Sequence, residues 1–82
     1  MINRLALFAS GSGTNVENIF NYFISNNQIK VEIILCNNKD AVVLKRAKRL
    51  KIQYLLFDSQ ITSDEEIIKF LKSKKITHII LA

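Results

Sequence analysis

Eighty-two residues leave room for one small domain, and a single cysteine rules out both a disulfide framework and a cysteine-built zinc site. With 49% hydrophobic and 23% charged residues the balance is that of a globular chain, and no apolar run approaches the ~20 residues of a membrane span. The net charge of +5 suits either solvated helix faces or attraction of small anions; aromatic residues do not interleave with the basic ones, so a nucleic-acid surface is not expected.

Met1-Ile2-Asn3-Arg4 leads straight into an apolar run without a leader-peptide pattern, which makes the cytoplasm the expected compartment. The first strand is predicted over Arg4 to Ala9, apolar without strict alternation, as in a strand covered on both faces. A loop, Ser10 to Thr14, contains both glycines of the chain. A helix is predicted from Asn15 to Ser25, with Val16, Ile19, Phe20, Phe23 and Ile24 on one stripe. The second strand runs from Lys30 to Cys36, followed by the turn Asn37-Asn38-Lys39-Asp40. Asp40 is a candidate N-cap for a helix from Ala41 to Lys51, whose inward stripe is Val43, Leu44, Ala47 and Leu50. Lys45, Arg46, Lys48, Arg49 and Lys51 cover much of its other surface. Gln53 to Phe57 is the third strand, and Asp58-Ser59-Gln60 a turn. Thr62 or Ser63 caps a third helix, each with a glutamate three residues on, and Lys72, Lys74 and Lys75 close it. Its expected inward residues are Ile67, Ile68, Phe70 and Leu71. Thr77 to Ala82 is a fourth strand.

The pattern β-α-β-α-β-α-β with short connections predicts an α/β fold: a Rossmann-like, three-layer half-domain with a parallel sheet. Its fourth strand has no helix after it, so part of one sheet face has no evident cover. Residues 1–82 are therefore expected to form a single incomplete domain.

The strand–glycine loop–helix junction is the candidate site. Such a junction aims backbone N–H groups and the positive end of a helix dipole at one point, which suits a phosphate. A dinucleotide loop would place a third glycine where Val16 stands, and an acid after the second strand where Cys36-Asn37-Asn38 stands. A Walker loop would need a Gly-Lys-Ser/Thr, which is absent. Gly11-Ser12-Gly13-Thr14-Asn15 remains as a compact nest for a single phosphate, or as a plain tight turn closed by a Thr14–Glu17 capping box. The two conflict: a Glu17 carboxylate folded over the helix start would repel a phosphate and would have to swing away. Asp58 stands where a receiver domain carries its phosphorylated aspartate, but the acid pair such a domain needs after the first strand is replaced by Ala9-Ser10; a turn role is expected. His78, at the start of the fourth strand, is expected to be structural or at the surface. Cys36 is expected to be a buried small hydrophobe. Asn37 and Asn38 either form the turn or face a ligand. No nucleophile–base pair and no metal-ligand cluster can be assembled, so no catalytic residue and no metal site are expected.

Phe8-Ala9-Ser10-Gly11-Ser12-Gly13-Thr14-Asn15 resembles the amino-terminal signature of the phosphoribosylglycinamide formyltransferases. Cys36-Asn37-Asn38-Lys39-Asp40-Ala41 with Leu44-Lys45-Arg46-Ala47 is similar to the family's second strand end and next helix, and Ile79-Ile80-Leu81-Ala82 to its fourth strand. The resemblance implies transfer of a formyl group from 10-formyltetrahydrofolate to the amine of 5-phosphoribosylglycinamide in purine biosynthesis. It implies that Gly13, Thr14 and Asn15 hold the ribotide phosphate while Gly11 and Ser12 shape the turn. The family's catalytic Asn, His and Asp follow its fourth strand and match nothing here, and Gln60-Ile61-Thr62-Ser63 lacks a folate-contacting arginine often found there. The 82 residues are thus expected to be the amino-terminal, substrate-phosphate part of such an enzyme and to be inactive alone. The alternatives are a formyltetrahydrofolate deformylase or methionyl-tRNA formyltransferase of the same fold, or a non-catalytic nucleotide-binding module.

Overall fold

A computed structural model describes residues 2–82; Met1, the first residue of the run read as leading into the first strand, lies outside them. The elements are β1 (Asn3–Phe8), α1 (Thr14–Phe23), β2 (Ile29–Cys36), α2 (Val42–Leu50), β3 (Gln53–Leu56), α3 (Asp64–Ser73) and β4 (His78–Leu81). Each predicted element is present, with ends displaced by at most two residues. The four strands form one parallel sheet in the order β3-β2-β1-β4. This is the α/β, Rossmann-like architecture the alternating pattern predicts. Among the described residues, no helix is long and apolar enough to cross a membrane.

The order of the strands explains the layers. β1, β2 and β3 are laid down in one direction, and the two helices between them share one face. There Leu5, Leu7, Val31 and Ile34 of the sheet pack with Val16 of α1 and Val43 and Ala47 of α2. Full burial of a side chain such as Leu7 or Ile34 contributes roughly 1.5–3 kcal/mol. The connection through α3 then returns past β1 to β4 on the other face, where Ala6, Ile33 and Leu35 meet Leu71, flanked by Ile67 and Phe70. One helix cannot span four strands. Ile79 and Leu81, paired with Ala6 and Phe8 of β1, remain 53% and 84% exposed. The part of the sheet expected to lack cover is therefore at β4.

Two inward assignments fail. Ile24 is the C-cap of α1 and is exposed, because the helix ends at Phe23 before the stripe reaches it. Ile68 is half exposed: Ile67, Phe70 and Leu71 already make the i, i+3, i+4 contact, and Ile68 lies about 100° around the helix. The register between β1 and β2 slips once, at Leu5/Ala6 opposite Val31/Ile33. The residue left over is Glu32, whose carboxylate meets Arg4 at 3.4 Å and Lys30 at 3.2 Å at the edge of the irregularity.

Candidate functional site: the glycine loop at the strand ends

In an open parallel sheet, ligands bind beyond the carboxyl ends of the strands where neighbouring strands lead off in opposite directions. Here that place lies between β1 and β4, and the glycine loop leaves β1 directly into it. Gly11, Ser12, Gly13, Thr14, Asn15 and Val16, with Ala9 and Ala82, line a cleft of about 230 Å³. The structure thus brings all five predicted loop residues to one concavity. Gly11, Ser12, Thr14 and Asn15 are exposed, while Gly13 is buried beneath them.

The two glycines differ. Gly13 has φ +82° and is the N-cap of α1. A Cβ there would also stand 2.6 Å from Val43 Cγ2 and 2.9 Å from Val43 Cβ, so both backbone and packing demand glycine. Gly11 has no positive φ, and a Cβ on it would meet nothing within 4 Å. Its contribution is its carbonyl, which accepts from the Val43 N–H at 3.0 Å. That bond serves the first turn of α2 and displaces the predicted cap: the N-cap is Ala41, without a side-chain bond, and Asp40 lies in the preceding turn. The loop after β1 thus closes α2 from outside.

The capping box expected from Thr14 and Glu17 does not form. With Gly13 as N-cap, the residue three places on is Val16, and Glu17 falls one position too late. The Thr14 hydroxyl instead lies 3.1 Å from that of Ser12. No side chain caps α1, and geometry leaves its first-turn N–H groups without acceptors inside the helix. Glu17 turns to α2, where it meets Arg46 at 2.7 Å and also pairs with Arg49. Hydrogen bonding from Arg46 holds the Glu17 carboxyl below its ordinary value, against a smaller upward push from partial desolvation, and Arg49 adds to the lowering. Glu17 is thus turned away from the helix start.

Arg46 also donates from Nε to the Ser12 carbonyl at 2.6 Å, bracing the loop from 34 residues away. The sequence pattern alone places it among the outward cations of α2. Its signal was in the spacing: Val43, Arg46, Ala47 and Leu50 follow i, i+3, i+4, i+7, which puts Arg46 on the flank of the buried stripe.

The other candidates take structural positions. Asp58 accepts from the Gln60 N–H at 2.9 Å, an Asx turn. Cys36 is buried, its Sγ 3.2 Å from the Asn38 carbonyl. Asn38 shapes the turn through its Oδ1, which accepts from the Asp40 N–H at 3.0 Å; Asn37 is exposed beside the strand ends. His78 is exposed at the opposite end of the sheet from the loop, its Nδ1 2.9 Å from the Thr77 hydroxyl. A roomier hollow of about 570 Å³ also lies at that opposite end, lined by Phe20, Phe23, Asn26 and Leu50 among others. It is larger than the glycine cleft but has no uncapped helix start pointing into it.

No family model matches the chain. Solved structures do. Glycinamide ribonucleotide transformylase 1 from Geobacillus kaustophilus is 32% identical with a TM-score of 0.87, over 99% of this chain and 46% of that one. Phosphoribosylglycinamide formyltransferase from Bacillus halodurans is 30% identical with a TM-score of 0.84, over 98% of this chain and 44% of that one. The enzyme of the same name from Campylobacter jejuni is 28% identical with a TM-score of 0.83, over 100% and 48%. The chain spans less than half the length of each of these proteins.

Proposed function

We propose, since the chain carries the amino-terminal portion of the phosphoribosylglycinamide formyltransferase fold, that it supplies the ribotide-phosphate cradle of such an enzyme. The reaction would transfer a formyl group from 10-formyltetrahydrofolate to the amine of 5-phosphoribosylglycinamide. One observation carries this reading: a glycine loop opens an uncapped helix into the cleft between β1 and β4. The exposed Thr14 and Asn15 side chains and the first-turn N–H groups would surround one phosphate, with the α1 dipole favouring its charge. Gly11 and Ser12 would shape the approach. A second phosphate has no further glycine to admit it, because Val16 is fully buried where a dinucleotide loop would have one.

The role proposed for this chain is binding. Among the described residues no histidine, cysteine or carboxylate pair stands at the cleft. The adjoining hollow at the strand ends, lined by Phe8, Ala9, Ser10, Leu35, Asn37, Phe57 and Ala82, encloses about 160 Å³. A second hollow of about 570 Å³, lined by Asn37, Lys39, Leu56, Phe57, Asp58, Ser59 and Gln60, adjoins it at Asn37 and Phe57; the role proposed for these residues involves no step on the folate.

The test is a titration of ¹⁵N-labelled protein with 5-phosphoribosylglycinamide. The amides of Gly13 to Val16 should shift most. Shifts centred on Phe23, Asn26 and Leu50 instead would move the site to the opposite end of the sheet and end this assignment.

A further inference from the structure

We propose that Arg46 and Arg49 are positioning residues, holding the Glu17 carboxylate off the first turn of α1 so that the loop stays receptive to a phosphate. The inference rests on the phosphate reading of the loop given above. An acid in the first turn of a helix is ordinarily favourable, because it answers the positive end of the dipole. At α1 that same benefit would be competition: Glu17 is the acid of the first turn, and its charge opposes a second anion there. The fold disposes of it sideways. Glu17 Oε1 accepts from Arg46 Nη1 at 2.7 Å and from Arg49 Nη2, both on the neighbouring helix. The trio carries a net positive charge beside the loop instead of a free negative one.

The two arginines are not equivalent. Arg49 is exposed, and its hydrogen bond here is to Glu17. Arg46 is half-buried and holds two points at once, Glu17 through Nη1 and the Ser12 carbonyl through Nε. It therefore fixes both the charge beside the loop and the path of the loop. The planar, forked guanidinium makes this possible; a lysine has no second donor in fixed geometry. Charge and shape can accordingly be separated by substitution.

The experiment titrates inorganic phosphate, and separately ribose 5-phosphate, into the parent protein, Arg49→Met, Arg46→Met, and each arginine variant combined with Glu17→Gln. Binding is read from the amides of Gly13 to Val16, and thermal melts verify folding. Arg49→Met should weaken phosphate about 2–5-fold, the size of a charge at a helix end. Arg46→Met should weaken it about tenfold, because a charged hydrogen bond to the loop is lost as well. Adding Glu17→Gln should restore Arg49→Met to the parent and Arg46→Met only in part. Rescue is the deciding readout when set beside the melts: phosphate affinity should return in the double variant whether or not the melting temperature does, whereas a merely structural pair would move the two together. Weakening that Glu17→Gln leaves unchanged, or no weakening in Arg49→Met, overturns the inference while the phosphate reading stands. A parent protein whose loop amides respond to neither probe overturns the phosphate reading, and this inference with it. Arg49→Met keeps the test decisive if Arg46→Met does not fold.

Discussion

The starts of α1 and α3 solve the same problem in opposite ways. α3 satisfies its own donors. The Ser63 hydroxyl accepts from the Glu66 N–H at 3.2 Å, and Asp64, Glu65 and Glu66 fill the first turn with negative charge. α1 has glycine as N-cap, no side-chain cap, and one acid that turns away to α2. Yet α1 is not neglected, for Arg46 reaches across to hold the loop in front of it. The contrast separates two uses of a helix terminus. A start that serves only stability is closed by residues next to it in sequence. A start left without a side-chain cap and braced from elsewhere in the fold keeps its donors available to an acceptor from outside the helix, as the proposed phosphate role requires.

The largest test of this contrast is Gly13→Val. Positive φ costs a side chain about 1–2 kcal/mol, and overpacking against Val43 about 1–3 kcal/mol more. Urea denaturation should show a loss of about 2–5 kcal/mol, together with loss of ribotide binding. Gly11→Ala is the control: open space and an ordinary φ should keep the stability change within about 0.5 kcal/mol. Equal losses at both glycines would mean that the loop is a rigid turn throughout and not a brace around one strained point. Asn15→Ala comes next. Its side chain is exposed, so stability should hold within about 0.5 kcal/mol while ribotide affinity falls about tenfold by calorimetry. A drop in stability without a change in affinity would make Asn15 a part of the turn.

Why one start was legible in the sequence and the other was not follows from the same contrast. The α3 start is local: Ser63 and Glu66 stand three residues apart, and the structure uses that spacing. The strands were equally plain, because Leu5–Leu7 and Ile33–Cys36 are buried on both faces and read as apolar runs. The glycine loop could be placed for the same reason, between a strand that had to end and a stripe that had to begin. What escaped was tertiary. Asp40 looked like the cap of α2, but the Gly11 carbonyl does that work across 32 residues. The Thr14–Glu17 capping box had the right spacing and failed by one residue, because Gly13 alone can take the left-handed turn that starts the helix. Arg46 looked like one more solvated cation until the loop was seen beneath it. Local patterns named the helix starts; which start stays open depended on contacts between distant segments.

Two smaller effects sharpen the comparison further. Ser63→Ala should cost about 1 kcal/mol by removing the α3 cap, with ribotide affinity unchanged, since that helix begins away from the loop. A change in affinity there would mean that the two helix starts are coupled through the sheet.

The smallest effect belongs to Glu17 and depends on pH. Its folded-state carboxyl is held below the ordinary value of 4.5, mainly by Arg46. The unfolded chain therefore binds the proton more readily than the folded one. The stabilisation is complete above pH 4.5 and is lost as pH falls through the lowered folded value. Melting temperature should accordingly decline on acidification below that point, and Glu17→Gln should melt lower than the parent at neutral pH but decline less. The difference should shrink with added salt, because Arg49 and its side of the cluster are open to solvent. If parent and variant declined in parallel, the Glu17 cluster would contribute nothing measurable to stability. Its place beside the loop would then have to be explained by the field it removes from the α1 start, the effect that phosphate titration reads directly.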